Sequence, residues 1–220
     1  MSTAQDGLVL GPELAGALLT PEEFDATEDF DERYVYELIN GVLVVTPPPS
    51  PEERGPNDLL TRMLWNYHDN HPLGTALNYT LPEHRVRVRG NRRRADRVVW
   101  AGLGRMPDVN RDPVTIVIEF VSAGRRNWKR DYEVKRREYL EASIAEYWLI
   151  DRFRRQMTVF RGPADRPMEL VVGENEVYRT PLLPGFELPL SRVLREADAI
   201  REAQAQGEDT EPPAAPPPVP

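Results

Sequence analysis

"PVTIVIEFVS" (residues 113–122) carries apolar side chains on both alternating faces from residue 114 to 118 and then a single carboxylate, Glu119. Successive side chains of a strand point to opposite sides of a sheet, so a strand that is apolar on both must be covered on both. The stretch predicts a central strand with a helix layer across the sheet. It also leaves Glu119 in an apolar setting, where a carboxylate is costly unless it is paired or bound to a cation.

Upstream, "YTLPEHRVRVRG" (79–90) and "RADRVVWAGL" (94–103) are Val-rich runs between turn residues and read as two further strands. Asp96 stands at the start of the second. Side chains on adjacent strands converge when register sets them opposite, so Asp96 and Glu119 form a candidate carboxylate pair able to share a cation. Downstream, residues 127–142 predict a helix. Trp128, Tyr132, Tyr139 and Ala142 fall on one stripe of it at about 100° per residue, and Lys135 sits near the middle of that stripe. Either this lysine lays its methylenes on the core and reaches water, or its ammonium points at the carboxylates.

Further out, "RYVYELINGVLVVTPPP" (33–49) is a hairpin turning at Asn40-Gly41, a pair suited to the positive φ angles of a two-residue turn. Glu37 shares a strand face with Val35 and Ile39 and is a candidate accessory ligand. Thr20-Pro21-Glu22-Glu23 starts a short helix, and Leu59, Leu60, Met63, Leu64 and Tyr67 predict another from about Pro56 to Asn70. "EYWLID", "MTVFRG", "MELVVG" and "VYRTPLL" read as later strands. The fold class is α+β (α/β), a mixed β-sheet flanked by helices with an N-terminal β-hairpin. Residues 1–19 read as a poorly ordered lead-in, 20–200 as one domain, and the Pro-, Ala- and acid-rich 207–220 as a disordered tail.

Composition narrows the chemistry. There is no cysteine, so a metal would be held by oxygen or by one of three histidines, and a hard cation such as Mg²⁺ suits oxygen donors. His68, His71 and His84 form no constellation and read as structural or surface residues. No apolar run approaches a membrane span, nor does a signal pattern open the chain, so a soluble, cytoplasmic protein is expected. The net charge of −8 argues against a polyanion partner, yet Arg85 to Arg137 holds 16 Lys and Arg against 6 Asp and Glu. That segregation predicts a basic surface able to meet phosphate.

The acids at successive strands, with a lysine nearby, resemble the PD-(D/E)XK nuclease superfamily. The usual lysine position, two residues after Glu119, holds Val121. The chain is similar to the Uma-type branch of restriction endonucleases, in which the lysine has moved to the following helix. "YELINGVLVVTPPPSPE", "RADRVVW", "VIEFVSAG", "KRDYEVKRREYLEASIAEYWLID" and "TPLLPGFELPL" carry this resemblance in order over roughly residues 20–190. It implies a restriction-endonuclease-like core, Mg²⁺ or Mn²⁺ held by Asp96 and Glu119, Lys135 as the migrated lysine, Glu37 as the early acid, and DNA as substrate. Ala95 replaces the usual proline before the aspartate, and Glu53 stands where the family often has histidine.

Because they flank this site in sequence, Arg92, Arg93, Arg94, Arg97, Arg125, Arg126, Lys129 and Arg130 are the expected phosphate contacts. Exposed sheet edges and family analogy allow a homo-oligomer. The contrasting class is a catalytically idle nuclease-fold protein that binds nucleic acid or protein. A further alternative is a dimerising scaffold whose Pro216–Pro218 tail meets a partner.

Overall fold

The computed structural model describes residues 8–208. Along the chain run β1 (Val9–Leu10), α1 (Pro21–Ala26), β2 (Asp29–Phe30), β3 (Val35–Ile39), β4 (Val42–Thr46), α2 (Pro51–Asn70), β5 (Leu77–Val88), β6 (Asn91–Ala101) and β7 (Ile116–Phe120). After these come α3 (Arg125–Lys129), a π turn (Arg130–Lys135), α4 (Arg136–Glu141), β8 (Glu146–Asp151), β9 (Gln156–Arg161), β10 (Met168–Gly173), β11 (Val177–Tyr178), β12 (Leu188–Pro189) and α5 (Leu190–Glu208). The fold is a mixed α+β architecture. Its main sheet follows the order β10-β9-β8-β7-β6-β3-β4, with β5 also on β6. None of the described helices is long and apolar enough to cross a membrane.

β7 is central and doubly covered, as its sequence requires. Ile116, Ile118 and Phe120 pack with Leu60 and Leu64 of α2 and Leu194 of α5. Val117 and Val121 pack with Tyr132, Tyr139 and Leu140 from the helical segment on the opposite side. Only β7 and β8 pair in parallel within this sheet, and that same segment makes the crossover between them. The hairpin turns at Asn40 (φ 51°) and Gly41 (φ 79°), both left-handed as a type I′ turn demands.

The sheet forks at β6. β5 runs along one edge of β6, so β3 and β7 share the other: Arg92 pairs with Leu38, whereas Arg97 to Val99 pair with Ile118 to Ile116. In the interval between them, side chains take over from a neighbouring strand. The Arg94 N–H donates to Glu37 Oε1 (2.9 Å), and the Asp96 carbonyl accepts from Asn57 Nδ2 (2.8 Å). Buried main-chain groups need partners, so Glu37 and Asn57 hold the fork open at little cost.

Three expectations change. The lead-in read as poorly ordered has structure from residue 8: Leu10 is buried against Phe24, Leu38 and Leu43, and Leu43 exchanges main-chain hydrogen bonds with Gly16 and Ala17. α2 starts at Pro51, a turn and a half before Pro56, because Glu53 Oε2 accepts the Ser50 N–H (2.9 Å) and closes the first turn. α5 was not anticipated. Leu190, Val193, Leu194 and Ala197 bury one face of it, which extends the ordered chain to Glu208. Of the tail expected to be disordered, Gly207 and Glu208 belong to this helix, and 209–220 lie outside the described residues.

Candidate active site

A cavity of about 360 Å³ opens at the fork, and Glu37, Asp96, Glu119 and Lys135 all line it, with Glu53, Arg94 and Arg130 around them. β7 delivers Glu119 on the face that meets the helical segment. There Lys135 Nζ lies 2.9 Å from Glu119 Oε1, and Tyr139 OH donates to the same oxygen at 2.8 Å. Asp131, one turn before Lys135, places Oδ1 3.9 Å from the ammonium and is itself paired to Arg130 (2.9 Å). Lys135 closes the π turn, a local widening of the helix often found at functional sites. Lys135 and Glu119 are each only 3% exposed. The lysine therefore does not snorkel to water.

Asp96 reaches the cavity from β6, and its Oδ2 accepts the Phe120 N–H at 2.7 Å. That bond crosses from β7 to the splayed part of β6 and brings the two acids together. Asp96 touches the cavity yet is crowded on all sides by protein, so desolvation, reinforced by the neighbouring Glu119 carboxylate, pushes its pKa well above the usual range. Lys135 and the Phe120 N–H recover only part of that. Burial pushes Glu119 up as well, against the pull of Lys135 and Tyr139. For Lys135, burial acts downward, but Glu119, Glu37 and Asp131 outweigh it and keep the ammonium charged. Glu37 is held below its ordinary value despite burial, by Lys135, Arg93 and the Arg94 N–H.

Among the described residues, no hydrogen bond reaches Asp96 Oδ1 or Glu119 Oε2. Two carboxylate oxygens left free beside a cavity, with no soft donor near, match what a hard divalent cation takes. No cluster of three or more acid or histidine side chains suited to a metal occurs among the described residues. A cation here would thus rely on these two acids, with main-chain, water or substrate oxygens completing its shell.

The expected phosphate contacts divide. Arg93 is 1% exposed and grips Glu138 through Nε (2.6 Å) and Nη2 (2.9 Å). Arg97 is fully buried on Asn57 and Thr80, and Arg92 is buried against Asp25. These three are internal, which corrects their assignment to DNA: sequence proximity to a site does not say which way a strand residue points. Arg94 and Arg130 do line the cavity, and Arg125, Arg126 and Lys129 are exposed on α3, whose Asn127 lines it too. Sequence reasoning passed over Asp131 and Asn57, and it took Tyr139 as core alone. The spacing of Asp131, Lys135 and Tyr139, four residues apart on one helix face, was the available signal.

The family described as "Uma2: Putative restriction endonuclease" matches the chain over residues 21–191. The chain belongs to the Uma2 family. The resemblance carried by the strand and helix motifs stands, and the matched span includes all four acid and lysine positions. Among solved structures, this Uma2 chain is similar to one titled as a "putative nuclease belonging to DUF820 from Anabaena variabilis ATCC 29413". The two share 14% identity with a TM-score of 0.61, over 81% of this chain and 99% of that one. At that identity the likeness establishes the nuclease-like fold. No curated protein matches the chain.

Proposed function

We propose that this protein is a metal-dependent endonuclease that hydrolyses DNA phosphodiester bonds, with Mg²⁺ or Mn²⁺ held by Asp96 and Glu119. The convergence of Asp96, Glu119 and Lys135 on one cavity carries the reading. A divalent ion there would supply Lewis acidity toward a phosphoryl oxygen and make a nearby water more acidic. The chain's own residues do the rest. Lys135, held as an ammonium by three carboxylates, offsets the negative charge that grows as the phosphorus centre is attacked. Tyr139 and Asp131 fix where that ammonium sits. Arg94 and Arg130 face the scissile phosphate from the cavity wall, and Arg125, Arg126 and Lys129 follow the backbone away from it. Glu37 ties β3 to β6 through the Arg94 N–H at the point where β3 and β7 part, and the phosphate enters between those two strands.

Purified protein incubated with supercoiled and linear DNA in Mn²⁺ should nick or cut it, and EDTA should stop the reaction. Calorimetry should show saturable Mn²⁺ binding that Asp96→Asn and Glu119→Gln abolish. DNA binding without cleavage and without those metal isotherms would instead make the chain a nucleic-acid binder on a nuclease fold.

A further inference from the structure

Phe153 is an exposed aromatic on the sheet end that carries the cavity. It sits in the β8–β9 turn and is 55% exposed. The parallel pairing of β7 with β8 sets Phe120 beside Ile150, so the turn emerges from the sheet end that presents Glu119. Two contacts tie it to the cavity rim. Arg152 lies 3.6 Å from Glu52 and shares a small crevice with Glu53 and Phe120, both of which also line the main cavity. Arg154 lies over the Trp128 ring, 4.8 Å from its centroid, on the helical segment that carries Lys135. The Arg152 guanidinium lies over one face of the Phe153 ring, 4.8 Å from its centroid, and the residue still keeps more than half of its surface open to solvent. The turn is locked from beneath, since Asp151 Oδ1 accepts the N–H groups of Phe153 and Arg154 at 2.9 Å each.

A solvated phenylalanine on a rigid turn loses hydrophobic free energy unless something covers it. The exposed cations Arg125, Arg126 and Lys129 of α3, the helix whose Trp128 ring Arg154 covers, select a polyanion as that partner. We propose that Phe153 is a stacking platform for an unpaired nucleobase next to the scissile phosphate, so that the substrate is DNA with a single-stranded segment at the cleavage point. The polymer's identity rests on the nuclease reading of the neighbouring cavity. Aromatic faces take any base that has left its stack, whereas a paired base keeps its faces covered by its neighbours.

The test is equilibrium binding in EDTA of labelled single-stranded and blunt duplex oligonucleotides, alongside Mn²⁺-dependent cleavage. Phe153→Ala should weaken single-strand binding roughly 5- to 150-fold, as losing one base–aromatic stack does, and leave duplex binding within about twofold. Phe153→Trp should bind the single strand like wild type, and both variants should melt like it because the ring is exposed. Equal loss on both DNAs, no loss on the single strand, or no single-strand binding by wild type overturns the platform. If Phe153→Ala binds normally while wild type cleaves DNA, the platform falls and the nuclease reading survives. If the single-strand loss is seen but wild type never cleaves, the platform survives and the nuclease reading falls.

Discussion

Replacing Lys135 by Met keeps most of the side chain's volume and removes its charge. At 2.9 Å from Glu119, with an effective dielectric of about 20, the ion pair is worth about 6 kcal/mol before desolvation is counted. Burying both ions consumes much of that, so the pair itself adds little net stability. Deleting one member is a different matter, because Glu119 would keep its desolvation cost with only Tyr139 to meet it, and Asp131 would lose a neighbour at 3.9 Å. Breaking a buried pair in this way costs about 3–5 kcal/mol, a large part of the roughly 5–15 kcal/mol that holds a domain folded. Guanidinium unfolding in EDTA at neutral pH, with an unchanged slope, measures it. Adding Glu119→Gln should return about 1–3 kcal/mol, because the orphaned charge is gone. Lowering the pH should also shrink the deficit. Without Lys135 the Glu119 carboxyl is raised further, so the folded variant holds a proton that the unfolded chain releases, and its stability falls as pH rises. A loss under about 1 kcal/mol at neutral pH, or an additive double variant, would refute the view that Lys135 is the counterion of a buried acid.

Other consequences follow from the same geometry. Asp96→Asn should stabilise the metal-free protein by about 0.5–2 kcal/mol at neutral pH, the usual yield of relieving a functional site, since Asn still accepts the Phe120 N–H. Because the folded pKa of Asp96 is raised, its ionisation destabilises the fold as pH climbs above the ordinary aspartate value; the gain should vanish below that value, read from melting temperatures across pH. Arg93→Met should cost about 3–5 kcal/mol by stranding Glu138 and Glu37, yet leave the salt dependence of DNA binding intact, unlike a phosphate contact. Lys129→Ala should do the reverse: a stability change within about 0.5 kcal/mol and a binding-versus-salt slope shallower by about 0.9 on duplex DNA.

Three of the four candidate residues were legible because each breaks a local pattern, whereas Asp96, at a strand start, was legible only as a partner for Glu119. Glu119 interrupts an apolar strand, Lys135 an aromatic helix stripe, and Glu37 a hairpin face, and a pattern with period 2 or 3.6 exposes such a misfit without any coordinates. The arginines broke no pattern of their own. Arg92, Arg93 and Arg97 look as exposed in sequence as Arg125 and Lys129, and only the acids of α1 and α4, or Asn57 of α2, reveal that they are internal. α5 went unread although Leu190, Val193, Leu194 and Ala197 keep helical spacing, because its charged outer face runs into an acidic, Pro-rich end.

Sequence alone determined the local elements: the Asn40-Gly41 turn, the doubly apolar β7, and the helix that carries Lys135. Each depends on steric preferences and side-chain periodicity within a few neighbouring residues. Tertiary structure alone decided that β3 and β7 part along β6, that the Phe120 N–H draws Asp96 toward Glu119, and that three arginines are spent inside the protein. Those outcomes depend on contacts between residues 24 to 67 positions apart, whose register no short-range pattern encodes.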